Sequence, residues 1–598
     1  MHFRRRSHGC IKHLLLAAAA CSAPGIVTVA AAQGVSPPGG VLPIAPKSTQ
    51  PSIPNPAPAL VIPGINERPL GLTEGPKIIV KAFRLGNDVD LPKYGLRVAD
   101  VRKILDDAVR TEPAQGYAIN QLQAVAGRVA DYYHAKGLVL AQAFVPAQSV
   151  SDGTVLIDVL VGKLESVKVV GNRHYSTRVL LRPFKGLIDQ PIDKEDIESA
   201  LLTTAGYPGL TAFGVLAAGR ELGTTDLTLR VQHEKPVALD VSMDNEGVAV
   251  SGQYRAQVGL TVNDPLGLAD QLQLSGMYAF DPSHSTEHGT YGGASYSVPV
   301  FSPRDYLTVS YFTNAYVVGG LGADLQLINP KGKASDGEFG YRHDFAPSRL
   351  GSASIGAALE VKRATFSANG SELFKDDLST AHIDLRWNGI DTRFRGINQL
   401  LISYEHGFKN LLGSLGDYDP TVSPHASREG ATGQFNKESI SLQRLQRITS
   451  NVSLLLHVQG QETSDPLLSL EQLSLAGPDA VRAYSVADVL MDKGGIGTAE
   501  LIVGAPGFAN RPAFGDRTWG QELQFSVFAD YAAGWLNDYV PIASVTPRYV
   551  NLGGYGAAIQ FNVPGRVFAR IDVAKPLTAR RPGNGRDPQY FFRLGVSL

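Results

Sequence analysis

The chain has 598 residues, too many for one ordinary domain, and its formal net charge of -1 gives no overall basic field of the kind that binds nucleic acid. The only two cysteines, Cys10 and Cys21, lie near the N-terminus, so disulfides and cysteine–metal sites are excluded from the rest of the chain. Phosphate-loop and His-Glu-x-x-His motifs are absent and the histidines are scattered. The sequence therefore predicts no enzyme, no metal site and no cofactor.

Residues 1–32 have the parts of a secretory signal peptide. Arg4–Arg6 form a positive region, Leu14–Ala20 begin an apolar stretch, and Ala30–Ala32 provide a small-residue cleavage site. A proline and a glycine interrupt the apolar run before it reaches the ~20 residues that span a membrane. Lipid attachment at Cys21 is the alternative. Either interpretation predicts an exported protein.

Residues 33–75 are rich in proline and glycine and predict an extended tether that acts as a spacer. Two similar stretches follow, residues 76–163 and residues 164–235. Each one predicts the order β-α-α-β-β, so the pair indicates an internal repeat of one small α+β module. Sheets of this size have edges that can accept a strand from an extended peptide.

The predicted elements of the two modules come from hydrophobic periodicity and helix caps. In the first module they are a strand at Ile78–Arg84, a helix around 98–109, a helix from Asn120 capped with Gln123, and strands at Leu138–Phe144 and Thr154–Val161. In the second module they are a strand at Leu164–Val170, helices at Ser176–Leu181 and Lys194–Leu202 with Asp193 as the cap, and strands at Thr211–Ala217 and Asp226–Gln232.

From residue 236 to 598 the helical period largely disappears and apolar residues alternate with polar ones. Runs such as Leu272–Tyr278 and Tyr306–Phe312 are separated by turn-rich segments. Strands of ~10 residues with turns and some long loops would give ~16 strands, an even number typical of outer-membrane barrels. The stretch therefore predicts an antiparallel transmembrane β-barrel, with a secreted array of β-sandwiches as the alternative.

Several short motifs then occur in a fixed order behind the signal and the two modules. They are Val145-Pro146-Ala147-Gln148, Val169-Val170-Gly171-Asn172, Val481-Arg482-Ala483-Tyr484, Gly497-Thr498-Ala499-Glu500-Leu501 and Phe528-Ala529-Asp530. With these motifs, residues 76–598 resemble the TpsB transporters of two-partner secretion, which belong to the BamA-related outer-membrane superfamily. The modules would then be periplasmic POTRA modules. Two alanines depart from the family pattern, since Ala483 and Ala532 stand where glycines are expected.

The resemblance implies a set of functional residues on a loop around residues 475–495 that folds into the barrel lumen. Arg482 would pair with Asp530 on the barrel wall, because a guanidinium inside a barrel is costly unless a carboxylate satisfies it. The residues implied in anchoring and gating this loop are Arg482, Tyr484, Val481, Asp530 and Phe528. The residues implied in binding the partner, on the two POTRA modules, are Pro146, Gln148, Gly171 and Asn172.

The resemblance also implies a function. An outer-membrane pore would recognise an unfolded secreted partner protein through its periplasmic POTRA modules and pass it to the cell surface without ATP. Outer-membrane lipid and, during biogenesis, the barrel assembly machinery would be its other partners. Two alternatives remain. A BamA-like insertase usually carries more modules, and a diffusion porin needs none.

Overall fold

The computed structural model describes residues 60–61, 77–86, 89–150, 152–319, 329–419, 421–537 and 547–598. The predicted signal peptide at 1–32 lies outside these residues, as does the predicted tether at 33–75 except for Leu60 and Val61, which form the short strand β1. Within the described ranges, no helix has both the length and the apolar character needed to cross a membrane.

The first α+β unit packs two helices on a three-stranded sheet of order β2-β4-β3, in which β2 runs parallel to β4 and β3 antiparallel to it. The first helix buries Val98, Val101, Leu105 and Ala108, an i, i+3, i+7, i+10 spacing that places them on one face. The elements are β2 (Ala82–Leu85), α1 (Val98–Arg110), α2 (Ile119–Ala135), β3 (Gln142–Phe144) and β4 (Thr154–Leu160).

Three local details of this unit differ from the sequence prediction, the first being that β2 begins at Ala82 and not at Ile78. The third strand begins at Gln142 and not at Leu138, because the chain turns at Gly137 (φ 94°) and Leu138 N–H donates back to the carbonyl of Tyr133. The cap of α2 also lies two residues earlier than predicted: Ala118 N–H donates to Gln121 Oε1 at 2.9 Å. Asn120 and Gln123 lie inside the helix.

The second α+β unit has a four-stranded sheet of order β1-β6-β7-β5. Leu60 and Val61 of the tether supply its outer strand, parallel to β6 and opposite Gly214 and Val215. The predicted tether therefore contributes a strand to the second sheet and is not only a spacer. The other elements are β5 (Lys163–Val170), α3 (Thr177–Leu180), α4 (Lys194–Ala205), β6 (Leu210–Ala218) and β7 (Thr224–Glu234).

Polar side chains fix the ends of the helices and the turn after β5 in this unit. The predicted cap of α4 is confirmed, since Asp193 Oδ1 accepts from Glu195 N–H at 3.0 Å. After β5, the Glu234 carboxylate accepts three successive backbone N–H groups: Arg173 and His174, each at 2.8 Å, and Tyr175 at 3.0 Å. Glu234 thereby attaches the turn to the end of β7.

This arrangement predicts a pH-dependent stability for the second unit. Burial raises the pKa of Glu234, but the hydrogen bonds from His174, Tyr175 and Arg173 outweigh that effect and lower the pKa below its ordinary value. The stabilising contribution of ionised Glu234 should therefore be complete at pH values above its pKa in the unfolded chain, about 4.3. It should be lost as the pH falls through the lower pKa that Glu234 has in the folded protein. Glu234→Gln should cost about 1–2 kcal/mol at neutral pH.

Thermal unfolding of the full chain in detergent, compared between wild type and Glu234→Gln at pH 7 and pH 3.5, checks this prediction. The difference between the two proteins should shrink at the lower pH, because the contribution of ionised Glu234 declines once the pH falls below its pKa in the unfolded chain. A difference that stays constant would show that the charge of Glu234 does not contribute.

The second unit contacts one end of the barrel directly. Arg349, in the turn between the sixth and seventh barrel strands, forms a 3.0 Å ion pair with Glu198 of α4. At the turn after the second barrel strand, a ring nitrogen of His174 lies 2.8 Å from the carbonyl oxygen of Asn263. These contacts place the second unit against the end of the barrel at which the short strand-to-strand turns lie.

The barrel is closed and has sixteen strands, each antiparallel to its neighbours, as the sequence predicts. The last strand pairs with the first through the register Arg593↔Asp244 to Ser597↔Asp240. The first eight strands are β8 (Val237–Asp244), β9 (Tyr254–Asn263), β10 (Gln271–Asp281), β11 (His284–Pro299), β12 (Asp305–Val317), β13 (Lys331–Asp344), β14 (Gly351–Ala368) and β15 (Ser371–Asp391).

The remaining eight strands complete the barrel. They are β16 (Gly396–Gly407), β17 (Phe435–Arg447), β18 (Val452–Glu462), β21 (Lys493–Gly504), β22 (Leu523–Trp535), β23 (Tyr549–Val563), β24 (Val567–Pro576) and β25 (Gln589–Ser597). Between β18 and β21 the loop contributes a short hairpin of β19 (Leu473–Ser474) and β20 (Leu490–Met491), and a one-turn helix, α5 (Trp519–Glu522), precedes β22.

Strand β22 shows how the alternation positions side chains. Phe525, Val527 and Tyr531 are exposed on the outer face, whereas Phe528 and Asp530 are buried on the inner face. A β-strand turns successive side chains to opposite faces, so one apolar and one polar set can share the same strand. The inner set of β22 forms part of the functional site.

Candidate functional site: the lumen loop and its wall

The loop between β18 and β21, residues 463–492, folds back among buried side chains and is called the lumen loop below. Its two limbs pair through Leu473↔Met491 in the β19–β20 hairpin. The tip then turns sharply at Gly477, whose φ of 117° favours glycine. The hairpin and the turn hold the loop tip as a compact structure that presents one arginine, Arg482.

Arg482 is 5 % exposed and makes a bidentate ion pair with Asp530 of β22. Its Nε donates to Asp530 Oδ2 at 2.9 Å, and a terminal nitrogen donates to Oδ1 at 2.8 Å. The backbone N–H of Arg482 also donates to Oδ2 at 3.2 Å. This fork geometry fixes both the side chain and the backbone of the loop tip relative to the wall.

Two further carboxylates, on β21 and β24, complete the coordination of the guanidinium. Its second terminal nitrogen lies 2.7 Å from Glu500 Oε2 on β21 and 3.4 Å from Asp572 Oδ1 on β24. Arg570 contacts both of these acids in turn, at 3.0 Å to Glu500 Oε1 and 2.8 Å to Asp572 Oδ1. Arg482, Arg570, Asp530, Glu500 and Asp572 form one buried network, called the arginine cluster below.

The ring of Phe528 lies against the guanidinium of Arg482. The Arg482 guanidinium carbon is 3.3 Å from the centre of the Phe528 ring, a stacked cation–π contact. Phe528 is directly opposite Glu500 in the β21–β22 ladder, and Thr498 is opposite Asp530, to which its hydroxyl donates at 3.0 Å. The register of one strand pair thus assembles the floor of the cluster.

The neighbours of Arg482 in its motif act by packing. Val481, Ala483 and Tyr484 are fully buried, and the Tyr484 hydroxyl lies 2.6 Å from the hydroxyl of Thr578, beyond the end of β24. A Cβ atom added to Gly554 on β23 would stand 2.6 Å from Cβ of Ala483. Gly554 therefore leaves the space that the alanine methyl group occupies.

The two alanines that depart from the family pattern do so without backbone strain. Neither Ala483 nor Ala532 adopts a positive φ, so neither position needs the conformational freedom of glycine. Ala532 is fully buried on the inner face of β22. At these two positions the surrounding atoms restrict the volume of the side chain, and the backbone conformation does not require glycine.

The four residues predicted to bind the partner lie in turns, where three of them have intramolecular contacts. The Gln148 amide satisfies both backbone groups of Leu156 on β4, at 2.9 and 2.7 Å, and the carbonyl of Pro146 accepts from the same amide at 3.3 Å. Gly171 has a φ of 89°, and Asn172 donates to the carbonyl of Tyr175 at 2.8 Å. Their role toward a partner stays a prediction.

Sequence reasoning assigned no role to three members of the arginine cluster. Glu500 lies in a motif that was recognised, and Arg570 and Asp572 alternate with the outward-facing Ile571 and Val573. Charged residues at inward positions of an alternating strand are the available signal. Among the described residues, no three His, Cys, Asp or Glu side chains are placed to hold a metal ion.

Comparison with known proteins gives a family for this architecture. The family model for the haemolysin secretion/activation protein ShlB/FhaC/HecB matches residues 223–536, more than half of the chain. The chain belongs to this family. A second model, the ShlB-type POTRA domain, matches residues 97–162. ShlB/FhaC/HecB proteins are TpsB transporters of two-partner secretion, so this chain is an outer-membrane transporter with POTRA structure on its periplasmic side.

Individual relatives of the ShlB/FhaC/HecB family agree with this assignment. The heme/hemopexin transporter protein HuxB of Haemophilus influenzae is 23 % identical over 476 residues, which cover 77 % of this chain and 78 % of HuxB. The outer membrane transporter CdiB of Escherichia coli is 26 % identical over 405 residues, 64 % of this chain and 63 % of CdiB. The solved structure of CdiB from Escherichia coli shares the fold, with a TM-score of 0.67, 20 % identity and coverage of 90 % of this chain and 94 % of that one.

Proposed function

We propose that the chain recognises one unfolded secreted partner protein in the periplasm and passes it through the barrel lumen to the cell surface. The observation that carries this proposal is the buried Arg482–Asp530 contact, which fastens a loop inside a closed barrel. The two α+β units outside the barrel add to it, since a pore that only had to leak small solutes would need no such units. Since the periplasm holds no ATP, folding of the partner outside the cell would drive its passage.

In this proposal the residues 76–163 and 164–235 form two periplasmic POTRA modules that receive the partner. An extended peptide can add as a strand to the end of a sheet, with main-chain hydrogen bonds giving affinity. The end strands of the two sheets are β2 and β3 in the first unit, and β1 and β5 in the second. Pro146, Gln148, Gly171 and Asn172 would set the shape of the turns that flank these edges.

The lumen loop would regulate the pore, with Arg482 and Asp530 as its anchor. Phe528 supports the guanidinium from below, and Val481 and Tyr484 hold the tip by packing. All five side chains would therefore act on the conformation of the loop and not on a chemical reaction. The chain would accordingly have no catalytic activity, and its remaining partners would be outer-membrane lipid and, during biogenesis, the barrel assembly machinery.

Deletion of the gene, with the culture medium followed for secreted proteins, tests the proposed function. One large secreted protein should disappear from the medium and return when the intact gene is restored. If outer-membrane assembly fails broadly while no secreted protein is lost, the chain is a BamA-like insertase. If secretion and assembly are both unchanged, the diffusion porin becomes the better interpretation.

A further inference from the structure

The lumen loop has a second buried ionic contact, on a different part of the wall. Glu471, at the start of the loop hairpin, has a side chain that is 1 % exposed. Its carboxylate lies 2.8 Å from the ammonium of Lys362 on β14 and also pairs with Lys437 on β17. Glu360 and Glu405 contact the same lysines, at 2.8 Å to Lys362 and 2.7 Å to Lys437 respectively. These five residues are called the lysine clamp below.

The lysine clamp and the arginine cluster lie on different arcs of the barrel wall. Counted round the barrel from β8, the lysine clamp occupies the seventh, ninth and tenth strands, and the arginine cluster occupies the twelfth, thirteenth and fifteenth of sixteen. Glu471 reaches β14 and β17, whereas Arg482, only eleven residues further along the chain, reaches β21, β22 and β24. The lumen loop is therefore fastened to two separate arcs of the wall.

The two contacts between the loop and the wall differ in the charge that remains on the wall when the loop residue leaves. Without Arg482, the arginine cluster keeps one cation, Arg570, against three anions, Asp530, Glu500 and Asp572. An uncompensated buried charge of this kind is strongly unfavourable. Without Glu471, the lysine clamp keeps two cations and the two anions Glu360 and Glu405, which already contact them. Among these four remaining residues of the lysine clamp, the charges therefore balance.

The side of the barrel that carries the lysine clamp also has an open cavity at the periplasmic end. This cavity has a volume of about 600 Å³ and lies between the end of α4 and the inner faces of β10 to β15. Its lining is mixed, and its polar part includes Arg342, Arg386 and the hydroxyls of Ser352 and Ser354. On β14, Lys362 lies eight residues beyond Ser354, about 27 Å along the strand.

We propose that the lysine clamp is the releasable contact of the lumen loop, whereas Arg482 stays fastened during secretion. Release of Glu471 lets the loop retreat toward the β21–β24 wall and opens a path along β10 to β15, which begins at the cavity beside α4. This proposal rests on the proposed function and specifies which half of the lumen an extended polypeptide occupies. Glu471, Lys362 and Lys437 are positioning residues, since they act through the loop.

Single-channel recording of the full chain in planar lipid bilayers tests the release step without any partner protein. Glu471→Gln keeps the shape of the side chain and removes the charge, so the open fraction should rise about tenfold. Glu471→Lys should open the pore further, and combining it with Lys437→Glu should restore closure. The matched control is Glu462→Gln, whose side chain is 69 % exposed and pairs with Lys493 on the barrel rim. Wild-type gating in Glu471→Gln would overturn the proposal.

A reversible bridge tests whether secretion needs the release. No cysteine follows Cys21 in the sequence, so Glu471→Cys and Lys437→Cys introduce the only thiols in that part of the chain. Joining them with a short bis-methanethiosulfonate reagent should reduce secretion at least tenfold, and a reducing agent should restore it. Undiminished secretion through the bridged protein would overturn the proposal.

The two experiments also separate this proposal from the proposed function. If the wild-type chain secretes no partner, the proposed function fails, and the conductance of Glu471→Gln still judges the lysine clamp. If the wild type secretes its partner but the unbridged double-cysteine variant does not, the Glu471→Lys and Lys437→Glu combination decides. Failure of that combination to restore closure counts against the lysine clamp as the contact that releases.

Discussion

Arg482→Ala should reduce secretion of the partner at least about tenfold while leaving the amount of barrel in the outer membrane unchanged. The substitution leaves Arg570 to compensate three buried carboxylates, and removing one partner of a buried ionic network costs about 3–5 kcal/mol. That cost falls on the folded position of the loop tip and not on the strand ladder of the barrel. Heat-modifiable migration on gels measures barrel insertion, and partner protein in the medium measures secretion.

Three companion variants show whether the charge pairing is the cause. Arg482→Lys keeps the charge but loses the bidentate fork and should recover only part of the secretion. Arg482→Ala combined with Asp530→Ala removes both partners and should be less harmful than Arg482→Ala alone. Arg447→Ala, at an exposed arginine at the end of β17, is the matched control. Wild-type secretion by Arg482→Ala would remove the loop from the mechanism.

Gly554→Val should displace the loop tip by steric contact alone, with every charge of the arginine cluster retained. A Cβ atom at Gly554 would stand 2.6 Å from Cβ of Ala483 and 3.3 Å from Cγ1 of Val481, both fully buried. Overpacking of a well-packed site costs about 1–3 kcal/mol or more. The pore should therefore conduct more often in planar bilayers, and secretion should fall several-fold.

Gly553→Val is the matched control for this substitution, because Gly553 is the adjacent residue of β23 and its side-chain position points the other way. An added Cβ there would meet Leu577 and Thr578 at 3.4 and 3.5 Å, which are ordinary contact distances. Ala483→Gly combined with Gly554→Val should recover part of the lost closure by returning the space of one methyl group. If Gly553→Val and Gly554→Val behave alike, the space beside the loop tip is not restricted in volume, and the prediction is wrong.

Much of the fold follows from local sequence patterns. The alternation on β22 places Phe528 and Asp530 on the inner face of a strand, and the helix periods of α1 and α2 give the first unit. The pairing of Arg482 with Asp530 was predicted from family resemblance, because spacing in the sequence says nothing about a contact over 48 residues. The sequence alone predicts secondary-structure elements and motifs, but not the contacts between distant residues.

The remaining members of the site depend on the barrel register, which local patterns do not determine. Asp572 and Glu500 reach Arg482 because β24 and β21 bring particular residues to one level of the wall. A shift of one residue in either strand would turn these acids outward. Glu471 is harder still, since a single acid in a leucine-rich loop gives no sign that two lysines of the barrel wall contact it.

Strand β1 alters the way in which a strand of the partner protein could add to the sheet of the second unit. Leu60 and Val61 already occupy the edge of β6, and a sheet edge accepts one neighbour at a time. Because they belong to the same chain, they compete at an effective concentration that for short linkers is in the millimolar range. Binding at this edge is then an exchange of one ladder for another, with little net gain in backbone hydrogen bonds. Selectivity for a partner peptide at this edge must therefore come from side-chain contacts and from the length of the strand that competes with β1.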